Sequence, residues 1–183
     1  MRKVVLYELM SLDGAVEEPW SYFPEFDDAM DGYMAEVIAS QDTVILGRRT
    51  FDEWAEYWQG PDRPQPFADF INAVEKVVVT STPVTATWPN SRAVAGPIEA
   101  VVRDLAGREG GDIGIHGSIQ VAQALLAADL VDEVRLLVGP AYGFGGRKLF
   151  ETTDTARRLE LLTSERSPNG TLLLGYRVRR DAA

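Results

Sequence analysis

The 183-residue sequence predicts a mixed α/β fold, a mostly parallel sheet flanked by helices with antiparallel strands at its C-terminal end. Three observations carry this. Apolar strand-like runs alternate with helix-like segments as far as about Ala128, the pattern of parallel β-α-β crossovers. Beyond Ala128 the strands follow one another almost directly, which suits antiparallel pairing. The length suits one substantial core, and neither a repeat nor a linker divides it, so residues 1–183 read as a single domain.

Each element has its own signal. Val4 to Met10 is a short apolar run with β-branched residues, closed by Ser11-Leu12-Asp13-Gly14: a buried strand ending in a turn. Ala15 to Pro24 is a loop. From Asp27 to Ser40, the residues Met30, Tyr33, Met34, Val37 and Ile38 mark one face of an amphipathic helix. Thr43 to Leu46 is a second strand, stopped by Gly47. Thr50 begins a short helix with Phe51, Trp54 and Tyr57 on one face. The prolines between Gly60 and Pro66 deny helical hydrogen bonds, so that stretch is a loop. Phe67 to Ala73 is a helix, Lys76 to Thr80 and Arg92 to Ala95 are strands, and Ile98 to Leu105 is a helix. Asp112 to His116 is a strand and Ile119 to Ala128 a helix. Val131 to Val138, Leu159 to Glu165 and Thr171 to Arg179 are the closing strands.

Composition removes several function classes. With no cysteine, disulfides, thiolate catalysis and cysteine-bound metals are excluded. With His116 as the sole histidine, imidazole-rich metal sites are excluded too, leaving only an all-carboxylate magnesium site open. No metal is expected. A net charge of −10 opposes binding to nucleic acid or an anionic membrane. No apolar run is long enough to cross a bilayer, and the N-terminus lacks a signal-peptide core. A cytoplasmic location is expected. In so acidic a chain, any anion site must gather its basic groups locally.

Three segments suit that task. Gly47-Arg48-Arg49-Thr50 sits where a strand meets a helix, where unpaired N–H groups and a partial positive charge favour phosphate. A strand-end glycine with solvated arginines and a capping Thr50 is the plainer alternative. Thr80-Ser81-Thr82 ends the third strand with three hydroxyls, suited to phosphate or ribose or simply to a turn before Pro83. His116-Gly117-Ser118-Ile119 turns a strand into an apolar helix and is the best phosphate candidate; a tight turn capped by Ser118 is its alternative. Each lies at a strand's carboxyl end, so parallel strands bring all three to one edge of the sheet, where open α/β sheets bind ligands.

With these motifs stand Ser11-Leu12-Asp13-Gly14, Val77-Val78-Val79, Leu130-Val131-Asp132-Glu133-Val134 and Gly143-Phe144-Gly145-Gly146-Arg147-Lys148-Leu149-Phe150. In this order the set resembles the dihydrofolate reductase superfamily, and within it the branch of riboflavin-biosynthesis reductase (RibD) C-terminal domains and their small stand-alone relatives. The resemblance covers nearly the whole chain. It implies a dihydrofolate-reductase-like sheet of about eight strands holding NADPH in extended form. It places Gly47, Arg48, Arg49 and Thr50 at phosphates, and Thr80, Ser81 and Thr82 near the adenosine ribose and its 2′-phosphate. Gly117, Ser118, Ile119 and Gln120 would cradle the pyrophosphate, and Leu9 and Val16 would meet the nicotinamide through backbone groups.

Departures from the family bear on substrate. Dihydrofolate reductases carry an acid on the helix after the first loop; here Asp27 and Asp28 are near, although Phe26 matches more closely by spacing. Where they carry an arginine before the third strand, this chain has Val74-Glu75-Lys76, and a carboxylate there disfavours folate. Glu17 and Glu18 oppose a phosphorylated substrate of the riboflavin-pathway kind. Among the aromatics, Trp20, Phe23 and Tyr142 are the candidate pocket residues, with Tyr22 and Phe144 nearby. Asp27 and His116 are the candidate proton donors. The expected function is NADPH-dependent reduction of a small planar or heterocyclic substrate; the alternative is a non-catalytic nucleotide-binding protein that kept the fold. Relatives of this kind are often dimers, and the apolar strand Val134 to Val138 is a candidate for pairing across an interface.

Overall fold

A computed structural model describes residues 1–151 and 156–179. Its strands are β1 (Val4–Ser11), β2 (Gln41–Gly47), β3 (Glu75–Val79), β4 (Ser91–Val94), β5 (Asp112–His116), β6 (Glu133–Gly139), β7 (Leu159–Arg166) and β8 (Leu172–Val178). Its helices are α1 (Asp28–Ile38), α2 (Arg48–Trp58), α3 (Phe67–Ala73), α4 (Ile98–Ala106) and α5 (Ile119–Ala127). A short 3-10 turn, Pro19–Ser21, interrupts the first loop.

One sheet contains all eight strands in the order β4-β3-β2-β5-β1-β6-β8-β7. The first six strands in sequence pair in parallel, and β8 returns antiparallel to β6 and β7. This is the mixed, mostly parallel fold the alternating pattern predicts. Alternation also sorts the core: Val44 and Leu46 of β2 pack with Phe51, Ala55, Trp58 and Ile71, while Ile45 packs with Val102, Leu105 and Leu125 across the sheet. Burial on both faces explains the near-continuous apolar runs of β1 and β2.

Several boundaries differ for physical reasons. The second helix starts at Arg48, because Gly47 has extended dihedrals and the chain turns helical at once. The sixth strand starts at Glu133; just before it Asp132 clamps the start of β1, its carboxylate accepting the Val4 N–H and its own N–H donating to the Val4 carbonyl. The expectation that Val134 to Val138 pairs across an interface fails, since β6 lies inside the sheet between β1 and β8. Lys76, fully buried on β3, donates to the carbonyls of Ile71 and Val74 at 2.8 Å each, satisfying two groups at the end of α3.

Candidate functional site

Parallel pairing sends the carboxyl ends of β1, β2, β3 and β5 to one edge of the sheet, and a cleft of about 1260 Å³ runs along it. All thirteen residues expected to meet cofactor line this cleft: Leu9 and Val16; Gly47, Arg48, Arg49 and Thr50; Thr80, Ser81 and Thr82; Gly117, Ser118, Ile119 and Gln120. They come from five separate stretches of chain. The Ser11 to Gly14 turn does its part indirectly. Ser11 Oγ accepts the Ala15 N–H at 2.9 Å, and the Gly14 carbonyl and Val16 N–H bond to Leu149 and Arg147, which pins the loop at Val16 and Glu17 against the cleft.

Neither α2 nor α5 has a side-chain cap, so the first-turn N–H groups of both helices lack such a partner. Ser118 does not cap its own helix. Its Oγ instead accepts the Gly47 N–H at 3.1 Å, tying the two turns together while its own proton remains to donate. Gly117 sits at φ +61°, and a Cβ there would lie 2.7 Å from the Trp54 ring, so the turn needs glycine twice over. Arg48 pairs with Asp52 at 2.9 Å, and Asp52 also accepts the N–H groups of Thr85 and Ala86. This sets Arg48 toward the segment after β3. Arg49 makes no ion pair among the described residues.

The rest of the cleft is aromatic and acidic. Trp54, Trp58 and Phe67 pack edge to face, with ring centroids 4.9–6.0 Å apart. Trp20 also lines the cleft, 60% exposed and packed on Phe26. Phe23, in contrast, is buried against Tyr22 and Phe26 outside the cleft, and Tyr142 projects to solvent away from it. Those two do not reach the pocket.

The candidate acids also sort differently. Asp27 is the N-cap of α1, accepting the N–H groups of Met30 at 3.1 Å and Asn169 at 3.4 Å, and it does not line the cleft. One helical turn on, Asp31 does line it, its carboxyl raised by burial and by the charges of Asp28 and Asp27. His116 lines the cleft, but its ring is buried against Tyr7, Phe67 and Phe70, and burial pushes its pKa down to about 3. It is neutral and supplies no proton at neutral pH. Gln41 donates to the Val37 carbonyl, so its Oε1, 2.8 Å from His116 Nε2, must accept. Nε2 therefore carries the hydrogen, and Nδ1, buried and without a partner among the described residues, offers a lone pair.

Glu8 is one of the cleft residues that no sequence motif marks. It is 4% exposed and lines the cleft, and burial pushes its carboxyl up to about 8. Its signal was a lone carboxylate inside an apolar strand. Asp31 and Trp58 lie off the faces that helix periodicity marks, and Phe67 opens a short helix; periodicity does not say which other side of a helix meets a cavity. Glu75 lies at the amino end of β3, exposed, paired with Arg92 and away from the cleft, so it repels nothing there. Glu17 lines the cleft with its charge met by Arg147 at 2.8 Å.

Comparison with known proteins matches this architecture. YyaP of Bacillus subtilis (strain 168) is 22% identical over 178 residues, covering 96% of this chain and 94% of its own. Two solved structures share the fold. A Shewanella sp. PV-4 protein, named for riboflavin biosynthesis, gives a TM-score of 0.77 at 20% identity, over 97% of this chain and 99% of its own. The Thermotoga maritima diaminohydroxyphosphoribosylaminopyrimidine deaminase/5-amino-6-(5-phosphoribosylamino)uracil reductase gives 0.69 at 16% identity, over 97% of this chain and 57% of its own. The model of the RibD C-terminal domain matches residues 2–173, and the chain belongs to that family.

Proposed function

We propose that the protein is an NADPH-dependent reductase of a small planar heterocycle, acting in the cytoplasm. The observation that carries this is the convergence of two uncapped helix starts, Arg48 and three strand-end hydroxyls on one cleft. The residues fit a dinucleotide. A pyrophosphate suits the paired turns at Gly47 and Gly117, held as one unit by Ser118. From there the strand order leaves two directions. Toward β3 and β4 lie Thr80, Ser81, Thr82 and Arg48, which suit an adenosine with a 2′-phosphate. Toward β1 the strand outruns its neighbour: pairing with β5 ends at Tyr7 and His116, so the backbone beyond Tyr7 is open on that side, where a carboxamide can bond at Leu9.

Bound NADPH supplies a hydride; the protein's part is to position, exclude water and deliver a proton. Trp54, Trp58 and Phe67 hold a flat ring, and Asp31 delivers the proton. The Thermotoga protein's name includes a uracil reductase, which supports a planar nitrogen heterocycle here. Its substrate's phosphate does not carry over, because Glu17 holds Arg147 and Glu18 lies beside it in the cleft. Buried Glu8 and half-buried Asp31, both on the cleft, remove the motive for a non-catalytic reading, which was the lack of a proton donor.

The test is quenching of tryptophan fluorescence by NADPH, since Trp54 and Trp58 line the cleft. Saturable quenching is expected, followed by oxidation of bound NADPH by some members of a panel of planar N-heterocycles. No saturable binding would overturn the proposal.

A further inference from the structure

We propose that Glu8 senses the redox state of the cofactor, giving up its proton when the oxidised, cationic nicotinamide is bound and keeping it when the reduced, neutral ring is bound. This rests on the NADPH reading above and deepens it. Glu8 lies on β1 between Tyr7 and Leu9, and all three line the cleft. The strand is unpaired on its β5 side just past Tyr7, and its other neighbour at Glu8 is Leu136 of β6. One carboxyl oxygen accepts the Leu9 N–H at 3.3 Å, while Oε2 is buried with no partner among the described residues. A packed strand has no structural use for such a group, which costs free energy to bury.

The groups around it do not hold a negative charge in place. Tyr7 on the same strand, Tyr22 in the first loop and His116 on β5 are neutral. Asp31 on α1 and Glu17 and Glu18 on the loop are acids, and of the cleft's cations Arg147 is taken by Glu17 and Arg48 by Asp52, leaving Arg49 on α2. Burial favours the neutral acid, against a weaker pull from the Leu9 N–H. A cationic ring at the end of β1 supplies the missing counter-charge. The balance is one proton: protein with Glu8 protonated plus NADP⁺ gives protein with Glu8 ionised, NADP⁺ bound, and a free proton.

The experiment measures Kd for NADP⁺ and for NADPH from pH 6 to pH 8, in the wild type and in Glu8→Gln. Both forms carry the same adenosine phosphates, so the ratio of the two constants cancels their titration. NADP⁺ should gain on NADPH by about tenfold or more across this range, the limit for one linked proton being about tenfold per pH unit. In Glu8→Gln the ratio should be flat. Independently of any variant, calorimetry of the wild type near pH 7 in buffers of different ionisation enthalpy should show proton release with NADP⁺ beyond that seen with NADPH. A flat ratio with no extra proton release in the wild type, or the same slope in Glu8→Gln, overturns the role of Glu8 while leaving the cofactor reading intact. Failure of the wild type to bind either form overturns both.

Discussion

Under the proposed function Arg48 would answer to two anions. Asp52, one helical turn on, holds it now, and a 2′-phosphate would compete for the same guanidinium. Arg48→Ala should weaken NADPH by roughly 1.5–3 kcal/mol, the range for a charge-assisted hydrogen bond, and leave NADH almost unchanged. Asp52→Asn should act in reverse, freeing the arginine and tightening NADPH by up to about fivefold, a gain in line with the worth of exposed ion pairs, at most about 1 kcal/mol. Titration of both cofactors against both variants checks this; an equal loss for NADPH and NADH in Arg48→Ala removes the 2′-phosphate assignment. At this scale the sequence was legible where a residue type implies a backbone geometry or a fixed charge, as at Gly117 and Arg48. It was less legible for acids. Asp27 and Asp31 stand one helical turn apart on α1, and only the packing of that helix decides which one caps and which one meets the cleft.

At the scale of elements, the turn from β5 into α5 carries the most constraint. Its backbone is left-handed at Gly117, the Trp54 ring fills the space behind it, and Ser118 binds it to the start of α2. Gly117→Ala should therefore lose about 1–3 kcal/mol, combining left-handed strain with displacement of an indole. For a chain of this size that is roughly 2–10 °C in Tm. NADPH affinity should fall as well, because the two turns no longer share one geometry. A variant that keeps both its Tm and its affinity shows that the turn tolerates a side chain. Element order was readable throughout, since burial on both sheet faces leaves apolar runs of strand length and helices keep their own period. What periodicity could not supply was neighbour relations: Val134 to Val138 looks the same whether it is central or at an edge, and only the return of β8 settles it.

For the molecule as a whole, two buried groups titrate in opposite directions. Glu8 has its carboxyl raised to about 8 from an ordinary 4.5. Its contribution to stability is complete below about 4.5 and is lost as the pH rises through 8, because the unfolded chain ionises first. His116 is lowered to about 3 from 6.5, so its contribution is complete above 6.5 and is lost as the pH falls through 3. Each slope is about 1.4 kcal/mol per pH unit, and between 4.5 and 6.5 they cancel. The cofactor-free protein should show a level Tm in that window and a decline toward pH 8. In Glu8→Gln the alkaline decline should shrink, so the variant's advantage grows by about 3 kcal/mol, roughly 5–10 °C, between pH 6 and pH 8. Parallel melting curves for the two proteins would sink this account.

The return of β8 has a practical consequence. Because β8 runs antiparallel to β6, Val178 comes back beside Asp132 and Glu133, on the sheet edge where Val4 begins β1. The entry to β1 and the exit from β8 are thus two strands apart, about 10 Å at ordinary sheet spacing, on the side opposite the cleft. A tether or a fluorescent reporter joined just before β1 or just after β8 would leave from the back of the sheet, clear of the cleft. Anchored to a bead or electrode by that back edge, the protein would present its cleft to the solution, the orientation that a surface-bound assay of the proposed cofactor would need.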